Sequence, residues 1–293
     1  MGRDLVADSA AARLVFEEAD ERLGFRLSSL CQQGPADVLA RTEHAQPAIL
    51  TTSVAAFRVL AERTGLVPVV MAGHSLGEWS ALVVAGALAF GDAVRGVRER
   101  GRLMQEAVPP GVGAMAAVVG LDAATLAALC EEAAAGEVVT PANLNGAGQI
   151  VVAGHAGAVD RLAALATARS ARVLRLDVSA PFHCPLMRPV ADGLARFLAD
   201  VPIGEPRIPI VSSVEPRPIA GAVEISSMLI AQVTAPVRWE ETMHAMRAFE
   251  FDLALEVGPG RVLTGLAKRL WPDVRCEPAA DPAGIAHVRE LLR

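Results

Sequence analysis

Five consecutive residues constrain this chain more than any others: Gly73-His74-Ser75-Leu76-Gly77. They follow the apolar run Leu66-Val-Pro-Val-Val-Met-Ala72, which reads as a short buried strand, and they open an apolar stretch of helix length from Leu76 to Leu88. A GxSxG pentapeptide between a strand and a helix fits a sharp turn whose glycines let backbone pass close on both sides, so that the serine hydroxyl projects from the sheet edge. The N-terminus of the following helix offers amide protons at the same place, and the amide of Leu76 is the natural donor to an oxyanion. Such a turn belongs to an α/β protein. A purely structural Gly-Ser turn is the alternative the motif leaves open.

The rest of the chain extends that pattern. Apolar positions recur with helical spacing over 11–30 and 47–64, and a further helix runs from about Asp92 to Ala107, stopping at Pro109-Pro110-Gly111. Between Gly113 and Ser179 the spacing predicts strand (113–121), helix (123–134), strand (138–144), strand (149–154), helix (156–169) and strand (172–178). This is the βαββαβ order of a ferredoxin-like unit. From Pro185 the α/β alternation resumes, with a helix to about Asp200, a strand at 208–213, helices near 224–232 and 239–248, a strand at 251–257 and a helix at 261–270. The expected architecture is a large α/β domain with a parallel sheet core, made of 1–112 and 180–293, into which a ferredoxin-like subdomain at 113–179 is inserted.

Composition narrows the function classes. Of 293 residues 52% are hydrophobic, yet Gly, Pro or charge interrupts every apolar stretch before it reaches membrane-spanning length. The start, Met1-Gly-Arg-Asp-Leu, shows no signal peptide, which makes the cytoplasm the expected compartment. Four scattered cysteines, Cys31, Cys130, Cys184 and Cys276, with no CxxC pair, argue for reduced core thiols rather than a disulfide framework or a zinc site. A net charge of −6, no basic run and no Tyr argue against nucleic-acid binding.

A serine nucleophile needs a base. His183 lies where the strand leaving the small unit meets the helix starting near Pro185, an end-of-strand position of the kind active sites occupy in open α/β sheets; a satisfied structural histidine fits the same grammar. His74 adjoins Ser75, where neighbouring side chains point apart, and reads as a packing or hydrogen-bonding residue. Arg100 belongs to the cluster Arg95, Arg98, Arg100 and Arg102. Spacing alone favours a solvated helix face for that cluster; the functional alternative is a guanidinium that binds a substrate carboxylate bidentately.

Several segments taken together, Gln46-Pro-Ala, Gly73-His-Ser-Leu-Gly-Glu78, Arg100-Gly-Arg-Leu-Met-Gln-Glu, Gly113-Ala-Met-Ala-Ala, Asn143-Leu-Asn145, Ala180-Pro-Phe-His183 and Glu256-Val-Gly-Pro-Gly-Arg-Val-Leu, resemble the malonyl-CoA:acyl carrier protein transacylase family, in order and spacing along the whole chain. The resemblance implies a hydrolase-like α/β domain with a ferredoxin-like insert. It implies that Ser75 is acylated, that His183 is its base and that Arg100 clamps the malonyl carboxylate. Gln232, in Ile230-Ala-Gln232-Val-Thr-Ala-Pro-Val-Arg-Trp, would orient the histidine with its backbone carbonyl in place of a third acid. Gln46, His74, Met104, Asn145 and Phe182 fall at substrate-pocket positions, though each also fits a helix or turn residue without substrate contact. Malonyl-CoA and coenzyme A, with the phosphopantetheine arm of an acyl carrier protein, are the implied partners; no cofactor or metal is expected, and a monomer is.

Two departures stand out. Family members begin with an apolar strand ending in a Gly-Gln-Gly-Ser/Ala-Gln loop, whose first glutamine lends an oxyanion amide, and this sequence starts just after that point. The expectation is a start assigned too far downstream, with half the oxyanion hole absent and one donor worth about 10²–10³ in rate. Phe182 stands where bacterial stand-alone members often carry Ser, as in malonyl-selective acyltransferase domains of polyketide synthases. Two competitors remain: a serine esterase or thioesterase using Asp281 and His287, and a catalytically impaired module that binds carrier protein.

Overall fold

The computed structural model describes residues 1–178 and 180–293. Ser179, the predicted last residue of the small unit, lies outside the described residues. The long helix Thr42–Thr64 is the axis of the largest core, which Leu50, Val54 and Val59 share with Leu5, Phe16, Trp79, Leu82 and Val97. Pro47 lies inside this helix and carries no N–H to close a bond to Glu43. Arg98 Nη1 donates to the Glu43 carbonyl instead, at 3.0 Å. The partner helix Phe90–Ala107 comes close because position 101 is glycine: a Cβ there would lie 2.6 Å from the Thr42 carbonyl oxygen.

Eight strands form three sheets among the described residues. β1 (Met71–Ala72) pairs in parallel with β6 (Ile210–Val211), and β7 (Leu253–Glu256) with β8 (Arg275–Pro278). Parallel pairing is thus found in two separate ladders, where the sequence suggested one sheet core. The first ladder is also shorter than the predicted strands 66–72 and 208–213. Pro68 and Pro209 offer no N–H, and Val67 and Val69 are exposed, so before Met71 the run forms no ladder and buries only Val70. Beyond Val211 the backbone N–H groups go elsewhere: Ser212 donates to the Arg217 carbonyl, Ser213 to the Glu78 carboxylate.

The predicted helix 11–30 is two helices, Ala10–Leu23 and Leu27–Gln33. Gly24 ends the first with a left-handed φ of 71°, and Asp20 fixes the start of the second by accepting from the Ser28 amide at 2.8 Å. At the far end, β8 and the helix Pro282–Leu291 lie beyond the last predicted element.

The middle of the chain forms a four-stranded antiparallel sheet from β2 (Gly113–Val119), β3 (Val139–Gly146), β4 (Gln149–His155) and β5 (Arg172–Arg175), in the order β3-β4-β2-β5. The helices Ala123–Ala134 and Ala156–Ala168 fall where helical spacing put them. β2 is apolar along its length because both its faces are covered. Ala114, Ala116 and Val118 pack with the two helices, while Met115 and Ala117 pack with Phe182, Cys184 and Leu186. The sheet therefore backs directly onto the segment that carries His183. β3 also docks on the large unit, where Val237 donates to the Ala142 carbonyl and Leu144 to that of Val237, both at 2.8 Å.

Candidate active site

Ser75 sits between β1 and the helix Gly77–Val84 with φ of 52°, a left-handed backbone that a serine rarely adopts. Glycine at position 73 makes the turn possible, since a Cβ there would lie 1.9 Å from the Gly77 carbonyl carbon. His183 is likewise held at φ 58°. Strain of this kind persists only where the surroundings over-determine it, and here it brings Ser75 Oγ within 2.7 Å of His183 Nε2 across 108 residues of chain.

Hydrogen-bond partners fix the direction of each bond. His183 Nδ1 faces two carbonyl oxygens, Gln232 at 2.8 Å and Ala235 at 3.2 Å, and so must carry the proton. Nε2 is then the acceptor, and the Ser75 hydroxyl donates to it. Burial, followed by the nearby Arg100 charge, lowers the His183 pKa from 6.5 to about 3. The resting imidazole is neutral.

This has a consequence for stability. The unfolded chain protonates His183 near 6.5 while the folded protein holds it neutral down to about 3, so between those values the unfolded state binds the extra proton. Stability is therefore lost as pH falls below the unfolded value. For this group alone the loss is about 2 kcal/mol between pH ~7 and pH ~5. Urea midpoints at the two pH values should fall further in wild type than in His183→Ala, and equal falls would contradict the burial argument.

Arg100 is the one member of its cluster that points inward. Arg95 pairs with Asp92 and Arg102 with Glu99 and Glu106 at the exposed surface, while Arg98 pairs with Glu43 in a half-buried place over Phe25. Arg100 is 2% exposed; its Nη1 donates to Gln46 Oε1 at 2.7 Å, and its Nη2 to Ser75 Oγ at 3.1 Å and Gln232 Oε1 at 3.2 Å. Burial lowers the guanidinium to about 10, opposed by the charge of Glu78, so it remains a cation at neutral pH.

The other residues singled out in the sequence are arranged around this group. Gln46 Nε2 reaches Met104 Sδ at 3.4 Å, so Gln46 touches both Met104 and Arg100. His74 turns away from Ser75, bonding Asn145 Oδ1 through Nε2 at 2.9 Å and packing against Trp239 at 5.4 Å between ring centroids. Phe182 is half-buried between the large core and the sheet. Leu76 caps the helix Gly77–Val84, whose first bonded amides are those of Gly77, Glu78 and Trp79. The esterase pair is not assembled: Asp281 caps the helix Pro282–Leu291 through the Gly284 amide, and His287 faces Glu277 at 3.8 Å.

Glu78 is the residue that sequence reasoning passed over. It is fully buried, and Oε2 accepts from Ser213 Oγ at 2.7 Å, Gln232 Nε2 at 2.9 Å and the Ser213 amide at 3.2 Å. Burial raises its pKa, against these three bonds. Its place in the first turn after the elbow was a signal, since an acid there faces either solvent or the site. The four cysteines are free and buried; Cys184, beside His183, has its thiol pushed up to about 11 by burial and is no rival nucleophile. Among the described residues no three His, Cys, Asp or Glu side chains are grouped to hold a metal ion, and no helix is long and apolar enough to cross a membrane.

Known proteins are similar to this chain in sequence and backbone. The family model for the acyl transferase domain matches residues 1–275. The malonyl CoA-acyl carrier protein transacylase of Escherichia coli K12 is 47% identical over 289 residues, covering 98% of this chain and 94% of the relative. The solved malonyl CoA-acyl carrier protein transacylase from Coxiella burnetii superposes with a TM-score of 0.97 at 42% identity, covering 100% of this chain and 93% of that one. A malonyl-transacylase solved in complex with its type II PKS acyl-carrier protein superposes with a TM-score of 0.96 at 43% identity, over 99% and 94%. With agreement of this extent in sequence and backbone alike, the chain belongs to the acyl transferase domain family and, within it, to the malonyl CoA-acyl carrier protein transacylases.

Proposed function

We propose that this protein moves a malonyl group from malonyl-CoA to the phosphopantetheine thiol of an acyl carrier protein through a malonyl ester on Ser75. One observation carries the reading beyond a generic serine site: a buried cation, Arg100, lies 3.1 Å from the hydroxyl that would be acylated. In a malonyl ester the free carboxylate lies one methylene beyond the carbonyl, within the surroundings of that guanidinium. An acyl group without a carboxylate leaves the cation unused.

His183 Nε2 takes the Ser75 proton as Oγ attacks the thioester carbonyl, and the amide of Leu76 receives the developing oxyanion. The C–S bond breaks, coenzyme A leaves as its thiolate, and the imidazolium returns the proton to it. The carrier thiol then gives its proton to His183, attacks the ester carbonyl and releases Ser75, which recovers the proton. The Gln232 and Ala235 carbonyls stabilise the imidazolium in both halves. His74 and Asn145 support the elbow from the side of the small sheet, while Gln46, Met104 and Phe182 line the acyl site. The reaction requires no cofactor.

The sheet order β3-β4-β2-β5 with two helices on one face supports a ferredoxin-like reading of the small unit, inserted in a hydrolase-like large one. We assign the reaction to a monomer in the cytoplasm, supplying extender units for fatty acid or polyketide synthesis.

Because one imidazole serves both halves, His183→Ala should lower acylation and transfer together by roughly 10³-fold or more, as seen when a base of this kind is removed. His287→Ala should change neither. Rapid-quench measurement of the two half-reactions tests this, and a loss in His287→Ala with His183→Ala active would restore the esterase arrangement.

A further inference from the structure

Glu78 takes no part in the steps above, yet its carboxylate is buried and linked to the reacting hydroxyl through two residues, Gln232 and Arg100. A carboxylate can only accept hydrogen bonds and a guanidinium can only donate them. Gln232 stands between the two and has one group of each kind. With its NH₂ committed to Glu78 Oε2 at 2.9 Å, its carbonyl oxygen must be the atom facing Arg100 Nη2 at 3.2 Å. The reverse orientation would set NH₂ against guanidinium and oxygen against carboxylate. On the opposite side Gln46 holds Nη1 with its own amide oxygen at 2.7 Å, so the fork is gripped at both ends. Ser213 anchors Glu78 in turn through its hydroxyl and its amide.

We propose that Glu78, acting through the side-chain amide of Gln232, is a positioning residue for Arg100 and sets the preference of the site for carboxylated acyl groups. The proposal rests on Arg100 as the carboxylate clamp. It gives Gln232 two separable duties: the backbone carbonyl orients His183 and the side chain orients Arg100. A merely structural Glu78, tying the helix Gly77–Val84 to the end of β6, would affect every thioester alike.

The test is kcat/KM for malonyl-CoA and acetyl-CoA in wild type, Gln232→Leu, Glu78→Gln, Arg100→Ala and the double variants of each of the first two with Arg100→Ala. Gln232→Leu keeps the backbone carbonyl, and Glu78→Gln keeps the shape and the contacts to Ser213. Each should lower the malonyl-to-acetyl preference roughly tenfold or more, mainly through a higher KM for malonyl-CoA, as expected when a charge-assisted hydrogen bond is lost. In the Arg100→Ala background neither should lower the preference further, since the residue they act through is gone. If Arg100→Ala collapses the preference while Gln232→Leu and Glu78→Gln lower both thioesters equally, the relay is overturned and the clamp stands. If Arg100→Ala leaves the preference intact, the clamp fails and the relay with it.

Discussion

Brief mixing of this protein with malonyl-CoA is expected to leave a covalent malonyl group on the peptide that contains Gly73–Gly77, and Ser75→Ala is expected to abolish it. The hydroxyl is half-buried, poised by a left-handed backbone and hydrogen-bonded to a neutral imidazole, which together suit it to the proposed role of nucleophile. Removing the nucleophile from such a unit costs roughly 10⁴–10⁶ in turnover, because the base and the oxyanion donors cannot act without it. Peptide mass mapping of the acylated protein reads the result directly. An adduct that survives the substitution, or one on Cys184, would overturn the assignment. The buried, raised-pKa thiol at 184 is a demanding control, because it neighbours His183 in sequence while its sulfur donates to the Pro181 carbonyl at 3.0 Å.

Much of this site could be read without coordinates because the turn that presents Ser75 is a local device. Its glycines, its strand and its helix lie within about one run of sequence, and their spacing states their geometry. His183 was legible for a different reason: it falls where the chain leaves one α/β pattern and enters another. Arg100 shows what was readable and went unread. On a helix of 3.6 residues per turn, Arg95, Arg98 and Arg102 share one side. Arg100 falls among Ala93, Val97 and Met104, which are all buried. Spacing counted as a cluster suggested a solvated face, whereas the same spacing taken as a phase isolates Arg100 on the apolar one. The position of Glu78 was a signal, but its inward orientation was not legible in this way. Its partners Ser213 and Gln232 lie 135 and 154 residues away, and no local pattern announces them. The strand readings at 66–72 and 208–213 erred in the other direction. Their β-branched residues gave the composition of a strand, but a proline in each removed ladder donors and Glu78 took the amide of Ser213.

Specificity is the second place where a large effect is expected. Arg100→Ala should depress use of malonyl-CoA while leaving or raising use of acetyl-CoA. The direction follows from burial: the guanidinium is almost wholly buried, so a malonyl carboxylate placed there without it would be a charge in a poorly solvated site. Breaking one side of a buried pair costs about 3–5 kcal/mol, which is a fall of roughly 10² to several 10³ in kcat/KM for malonyl-CoA. Acetyl has no charge to strand, and the shorter side chain gives it room. Arg100→Lys should recover only part of the loss, because an ammonium keeps the charge but cannot make the two parallel bonds of the planar fork. A second readout separates this from a loss of packing. The Arg100 charge is one of the causes that hold the His183 pKa down, so Arg100→Ala should move the acidic limb of acetyl-CoA turnover to higher pH, and Arg100→Lys should leave it nearer its original place. An equal loss for both thioesters with no movement of that limb would make Arg100 a structural residue of the core.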